Sequence, residues 1–256
     1  VREIAECSVA VHDSAVHFPE SRMTVRPVWL RALTAALLMV SAPAALLAQD
    51  AGAAAKSAQA QHKTGGNEGK MPIGWKVRTD AGPAMHMGGA DTVAFVQMTP
   101  GFHVTMGPAA ILWHPDSVAK GTYSLESGIF LFPTKGRDQE GYGVFLGGAE
   151  LAAPGQRYTY FLLRNDGKFL VKQRKGEQTT TLIDWTPLAA IKRQAGADAM
   201  RNDFRVVVEA STVRFLVNGT EAVQLPRTQV NPDGVFGLRM NHAVNAHVVG
   251  VGRAGR

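Results

Sequence analysis

Cysteine is nearly absent: Cys7 is the only one in 256 residues. A chain with one thiol cannot close a disulfide on itself, so its folded part must rest on apolar burial instead of covalent staples. Cys7 also lies ahead of everything that reads as foldable, which excludes thiol catalysis in that part. Basic runs are missing too. The 27 Lys and Arg outnumber the 21 Asp and Glu modestly and are dispersed, as on a solvated surface, so no nucleic-acid partner is expected. There is no HxH or HExxH spacing, phosphate-cradling glycine loop, nucleophile elbow, dinucleotide motif or internal repeat.

One long apolar run is present. From Met23 the chain reads MTVRPVWLRALTAALLMVSAPAALLAQD, with Arg26 and Arg31 ahead of the apolar stretch and small residues up to Ala48. This is the pattern of a bacterial export leader, and Pro43 with the polar sequence beyond it argues against a retained membrane span. The expected organisation is an upstream extension over 1–22 with Met23 as the start, a leader over 23–48, a flexible Ala-, Gly- and Gln-rich tether over 49–70, and a folded domain over 71–256. The expected destination is secreted or periplasmic.

Strand signals dominate from Met71 onward. In RNDFRVVVEASTVRFLVNGTEAVQL, Phe204, Val206 and Val208 alternate with more polar neighbours, as do Val213, Phe215 and Val217. Asn218-Gly219 between such runs supplies the left-handed dihedrals of a two-residue hairpin. Arg164-Asn165-Asp166-Gly167-Lys168 joins YTYFLLR to KFLVKQR in the same manner, with Tyr158, Tyr160 and Leu162 on one face. Roughly eleven to thirteen strands are predicted, arranged as a β-sandwich because one-sided hairpins must cover their apolar faces with a second sheet. A single helical stretch is predicted at Leu188–Gln194, with Pro187 in its first turn and Thr186 or Asp184 capping it; Trp185 then reads as a core or staple residue.

The order YSLESGIFLF, EGYGVFLGG, a hairpin, FRVVVEASTVRFLVNGTEAVQL and GVFGLRMNHAVNAHVVGV resembles the concanavalin A-like lectin/glucanase superfamily, in particular bacterial jelly rolls related to laminin-G and 3-keto-disaccharide hydrolase domains. The resemblance spans roughly Pro72 to Val251. It implies an all-β jelly-roll sandwich of two antiparallel sheets and a carbohydrate or glycan partner on the concave sheet. The alternatives it leaves are a glycoside hydrolase or lyase acting on disaccharides or keto-disaccharides, and a laminin-G-like adhesion or structural module. It also allows a calcium ion at a loop rim, for which Asp91, Asp116 and Asp138 are the oxygen-ligand candidates; unmetallated loop aspartates are the competing reading.

The strand-borne carboxylate pair of the superfamily's glucanases is missing. Glu126 stands alone in YSLESGIFLF, and Asp138 and Glu140, which would join it as acids in a hydrolase, sit in a glycine-rich connection that reads as a solvated turn before it reads as a carboxylate pair. Five histidines, His86, His103, His114, His242 and His247, fall in the folded part. If the chain were an enzyme, Glu126, His103 and His114 would be the acid–base candidates. For ligand binding, Trp113 suits stacking on a sugar, or alternatively closes the core beneath a loop. Alternation and antiparallel pairing are expected to gather Glu126, Tyr160, Lys172, Arg239 and Asn241 on one outward face, with Arg164 and His242 at its margins; ordinary cross-strand ion pairing is the other reading.

Overall fold

Alternation sets the elements. In a computed structural model, which describes residues 71–80, 82–83, 93–133, 136 and 138–255, each apolar-alternating run is a strand. The leader, the tether, His86 and Asp91 lie outside the described residues. In chain order the strands are β1 (Lys76–Thr79), β2 (Gly82–Pro83), β3 (Val93–Gln97), β4 (Phe102–Met106) and β5 (Ala110–Ala119). Next come β6 (Tyr123–Leu131), β7 (Tyr142–Ala149), β8 (Arg157–Arg164), β9 (Lys168–Lys175) and β10 (Gln178–Pro187). The series closes with β11 (Met200–Val208), β12 (Thr212–Val217), β13 (Thr220–Pro226), β14 (Gly234–Met240) and β15 (Asn245–Arg253).

All pairings are antiparallel. The larger sheet runs β10-β9-β8-β7-β14-β5-β1-β2 and the smaller β13-β12-β11-β6-β15-β4-β3. The expected hairpins form: Val217 pairs with Thr220 across Asn218 and Gly219, whose φ values are 51° and 84°, and Arg164 pairs with Lys168 across a loop containing Gly167 at φ 86°.

The inner faces of the two sheets enclose the main core, with Val104, Leu112, Leu125, Phe161, Phe204 and Phe215 fully buried. Phe161 lies amid the rings of Phe215 (5.2 Å), Phe204 (5.8 Å) and Phe169 (6.0 Å), a clustering worth about 0.5–1.5 kcal/mol per pair beyond area burial.

The predicted helix at Leu188–Gln194 does not form. Its backbone donors are taken by side chains from elsewhere: Lys192 N–H donates to Asn202 Oδ1 (2.9 Å) and Gln194 N–H to Asn165 Oδ1 (2.6 Å), while Ile191 anchors in the core. Such side-chain acceptors compete directly with the helical ladder. The one helix among the described residues, α1 (Arg227–Val230), is a single turn between β13 and β14. No helix among the described residues is long and apolar enough to cross a membrane.

Candidate functional site

The outward face of the larger sheet is the side that carries both polar convergence and an apolar floor. Register places Lys76, Trp113, Gly237, Phe145, Tyr160 and Lys172 in one row across it, and Arg78, Ile111, Arg239, Gly143, Leu162 and Leu170 in the next. Trp113, Phe145, Tyr158, Tyr160, Leu162 and Leu170 form a buried cluster separate from the main core. Neighbouring rings lie 5.3 Å (Phe145 to Tyr158) and 5.7 Å (Tyr158 to Tyr160) apart.

Charged groups lie over this floor. Arg239 donates through both terminal nitrogens to the two oxygens of Asp80 (2.6 and 2.7 Å), and Arg174 donates to the same carboxylate at 2.9 Å. Asp80 follows β1 and Arg174 is on β9, five strand steps apart in the sheet. A flat sheet would separate strands that far apart by about 24 Å at the usual spacing of 4.7–4.9 Å, more than the two side chains span together, so the sheet curls and this face is concave.

Burial works against the Asp80 charge, but the hydrogen bond and charge of Arg239, then the charge of Arg174, outweigh it and hold the carboxyl below its ordinary range. Arg239 is buried, its side chain 8% exposed, and its guanidinium carbon lies 5.7 Å from the Tyr160 ring centre. Burial, chiefly, pushes the Tyr160 hydroxyl up to about 12.

One end of the concave face is lined by half-buried side chains, Arg164, Trp185 and Asn241. Trp185 of β10 is half-buried, with the Arg164 guanidinium carbon 4.4 Å from its ring centre. Leu162, Trp185 and Asn241 converge on Gly141, where a Cβ would stand 2.9, 3.2 and 3.4 Å from their side-chain atoms, so the missing side chain is what lets them meet. Arg164 in turn pairs with Asp166 (2.7 Å), which Lys168 approaches at 3.8 Å.

Of the residues expected to share this face, Tyr160, Lys172, Arg239 and Asn241 do, with Trp113 buried in its floor, Arg164 against Trp185 and His242 exposed near Asp80. Glu126 does not join them. It lies on β6 of the smaller sheet, opposite Arg205 (3.5 Å), because β6 pairs with β11 and β15 and not with any strand of the larger sheet. His103 is buried on the outer side of the smaller sheet, directly across from His247, with Nε2 2.6 Å from Asn245 Oδ1. Burial, in first place, pushes the His247 pKa down.

His114 is half-buried on β5 beside Asp116, 3.8 Å away. Thus Glu126, His103 and His114 are on separate elements and do not form one constellation. Asp138 accepts from Asn165 Nδ2 at 3.0 Å, and Asp116 is exposed; among the described residues no group of three or more acidic, histidine or cysteine side chains is placed to hold a metal.

Sequence reading missed Trp185 and Asp80. Alternation could not place Trp185, because β10 is bulged on both sides of Ile183, which turns to the main core while Trp185 turns to the outer cluster, and the nearby Pro187 suggested a helix start. Asp80 gives no local sign, because its partners are 94 and 159 residues away.

Two curled antiparallel sheets around one core, with a polar concave face, define a jelly-roll sandwich of the concanavalin A-like type. No family model and no curated protein matches the sequence. Among solved structures, the chain is similar to the carbohydrate-binding module CBM66 from Bacillus subtilis, with a TM-score of 0.50 at 9% identity over 70% of this chain and 94% of that one. It is also similar to a GH16 protein of the Bacteroides ovatus mixed-linkage glucan locus in complex with its product, with a TM-score of 0.47, 9% identity and coverage of 70% and 94%. The VIP36 exoplasmic/lumenal domain in its Ca2+/Man-bound form gives 0.47 at 8% identity over 71% and 82%. At these identities the likeness is one of fold.

Proposed function

We propose that this domain is an exported, lectin-like module that binds a glycan on the concave face of the larger sheet. The observation that carries the reading is the convergence of Trp185, Arg164 and Asn241 over Gly141 at one end of that face. A sugar ring offers C–H groups to an aromatic face and hydroxyls to amide and guanidinium donors, and these are the groups that meet there. The backbone N–H of Asn241 donates to the Gly141 carbonyl at 2.8 Å, while its side-chain amide makes no hydrogen bond among the described residues that would compete. Export rests on the leader at 23–48, which lies outside the described residues.

Binding is favoured over hydrolysis by the state of the carboxylates. Among the described residues Asp80 and Asp166 are the acids that meet the cations of this face, and each is held by two of them. A two-carboxylate mechanism needs one acid that keeps its proton near neutrality, whereas the arginines drive Asp80 the other way. Isothermal titration of the purified chain against glycans selected on an array tests the reading. Trp185→Ala is expected to weaken the selected glycan about tenfold, roughly 1.4 kcal/mol. Absence of any binder, or full affinity in the variant, would refute it.

A further inference from the structure

The charges on the concave face are unbalanced in a specific way. Asp80 is shared by Arg174 and Arg239, and Asp166 by Arg164 and Lys168, so each carboxylate already faces two cations. Lys76, Arg78 and Lys172, on the same face, have no acidic partner among the described residues. Lys76 and Lys172 lie toward opposite ends of the same register row, with Trp113, Phe145 and Tyr160 between them, and the row runs on past Lys172 to Thr181 of the edge strand β10. Arg78 lies in the adjoining row.

Two nitrogens sharpen the point. The Nε atoms of Arg78 and Arg239 are both buried and lack an acceptor among the described residues. A buried guanidinium donor without an acceptor is costly, and here two of them belong to one row of one face. Neutral sugars need amides and aromatics but no surplus of cations; a chain of anionic sugars needs cations at intervals on both sides of its path.

We infer that the glycan recognised on this face is anionic, a polysaccharide bearing carboxylate or sulfate groups, held by Lys76 and Lys172 on opposite sides of the face and by Arg78 in the adjoining row. This rests on the glycan-binding reading above and narrows it to a ligand class. Arginine forks and lysine ammonium groups bind either anion; the two sources are separated by experiment.

The test is calorimetric titration of the full chain with oligogalacturonate and with the same oligomer methyl-esterified, and in parallel with dextran sulfate and dextran. The charged member of at least one pair is expected to bind about tenfold or more tightly than its neutral counterpart, with affinity falling as salt rises. Lys172→Ala and Arg78→Ala should each weaken that binding several-fold, while Lys192→Ala, an exposed cation whose backbone is held by Asn202 of the smaller sheet, should leave it unchanged. Thermal unfolding of each variant confirms that it is folded, and Lys172, half-buried with no hydrogen bond or ion pair to lose among the described residues, keeps the test valid if the Arg78 variant is not.

Equal affinity for charged and neutral members overturns this inference and leaves glycan binding standing. An equal loss in the Lys192 variant also overturns it, by showing attraction to net charge alone. Failure of every oligomer here and of every array glycan refutes the glycan-binding reading itself.

Discussion

Replacing Asp80 by Asn should expose how far the concave face depends on one carboxylate. In the native domain Asp80 receives both terminal nitrogens of Arg239 and one of Arg174, while the Arg239 side chain is only 8% exposed. Asparagine removes the charge and turns one of the two acceptor atoms into a donor facing a donor. Breaking one side of a buried ion pair costs about 3–5 kcal/mol, because the remaining charge has lost its compensation. The Asp80 side chain is 37% exposed, so water replaces part of what is lost, and a cost of about 2–3 kcal/mol is expected. For a domain of this size that is a fall in Tm of about 5–10 °C.

Urea unfolding at pH 7 measures the cost directly. Its pH dependence supplies a check of sign: the folded-state pKa of Asp80 is lowered, so its contribution is fully present above the ordinary carboxyl pKa and is lost as pH falls through the folded value. The gap between native and variant should therefore stay constant from about pH 5 to 8 and close below about pH 4. The double variant Asp80→Asn/Arg239→Met should recover most of the loss, since an apolar side chain of similar length leaves no buried charge. A gap below about 0.5 kcal/mol at pH 7, or one that persists undiminished in acid while the protein stays folded, would refute the reasoning.

Two further outcomes follow from buried groups elsewhere. All four tyrosines of the chain, Tyr123, Tyr142, Tyr158 and Tyr160, are pushed up in pKa, first by burial. Ultraviolet titration should therefore show little phenolate in the folded protein at pH 10.5, and stability should decline above about pH 10, where only the unfolded chain releases these protons; normal phenolate absorbance at that pH would contradict the burial. Asn218→Ala should cost about 2–3 kcal/mol in chemical denaturation: its amide donates to the Ala190 carbonyl and Asn202 Oδ1 (both 2.8 Å), its oxygen accepts from Asp203 N–H (2.9 Å), and its φ of 51° suits Asn better than Ala. Asn218→Gly should recover the backbone part alone, and a neutral effect of Asn218→Ala would show that these bonds are not made.

Hairpins and faces were legible because their causes are local. Asn218-Gly219 supplies positive φ at two successive residues, and the period of two along YTYFLLR assigns Tyr158, Tyr160 and Leu162 to one side before any partner strand is known. Leu188–Gln194 was misread for the opposite reason. Its propensity favours a helix, but the oxygens that capture its N–H groups arrive from the β8–β9 turn (Asn165) and from β11 (Asn202).

By itself, then, the sequence determined the all-β class, the main hairpins, and the common face of Tyr160 and Lys172 across one hairpin, since each follows from alternation and turn chemistry within a short window, whereas Arg239 and Asn241 join that face only because β14 lies beside β7. Tertiary structure alone decided that Glu126 belongs to the other sheet, that Trp185 leans over Gly141, and that Asp80 meets Arg174 and Arg239. Those meetings depend on strand order and on the curl of the sheet. Both are outcomes of how two faces bury each other over the whole domain, which no window of neighbouring residues encodes.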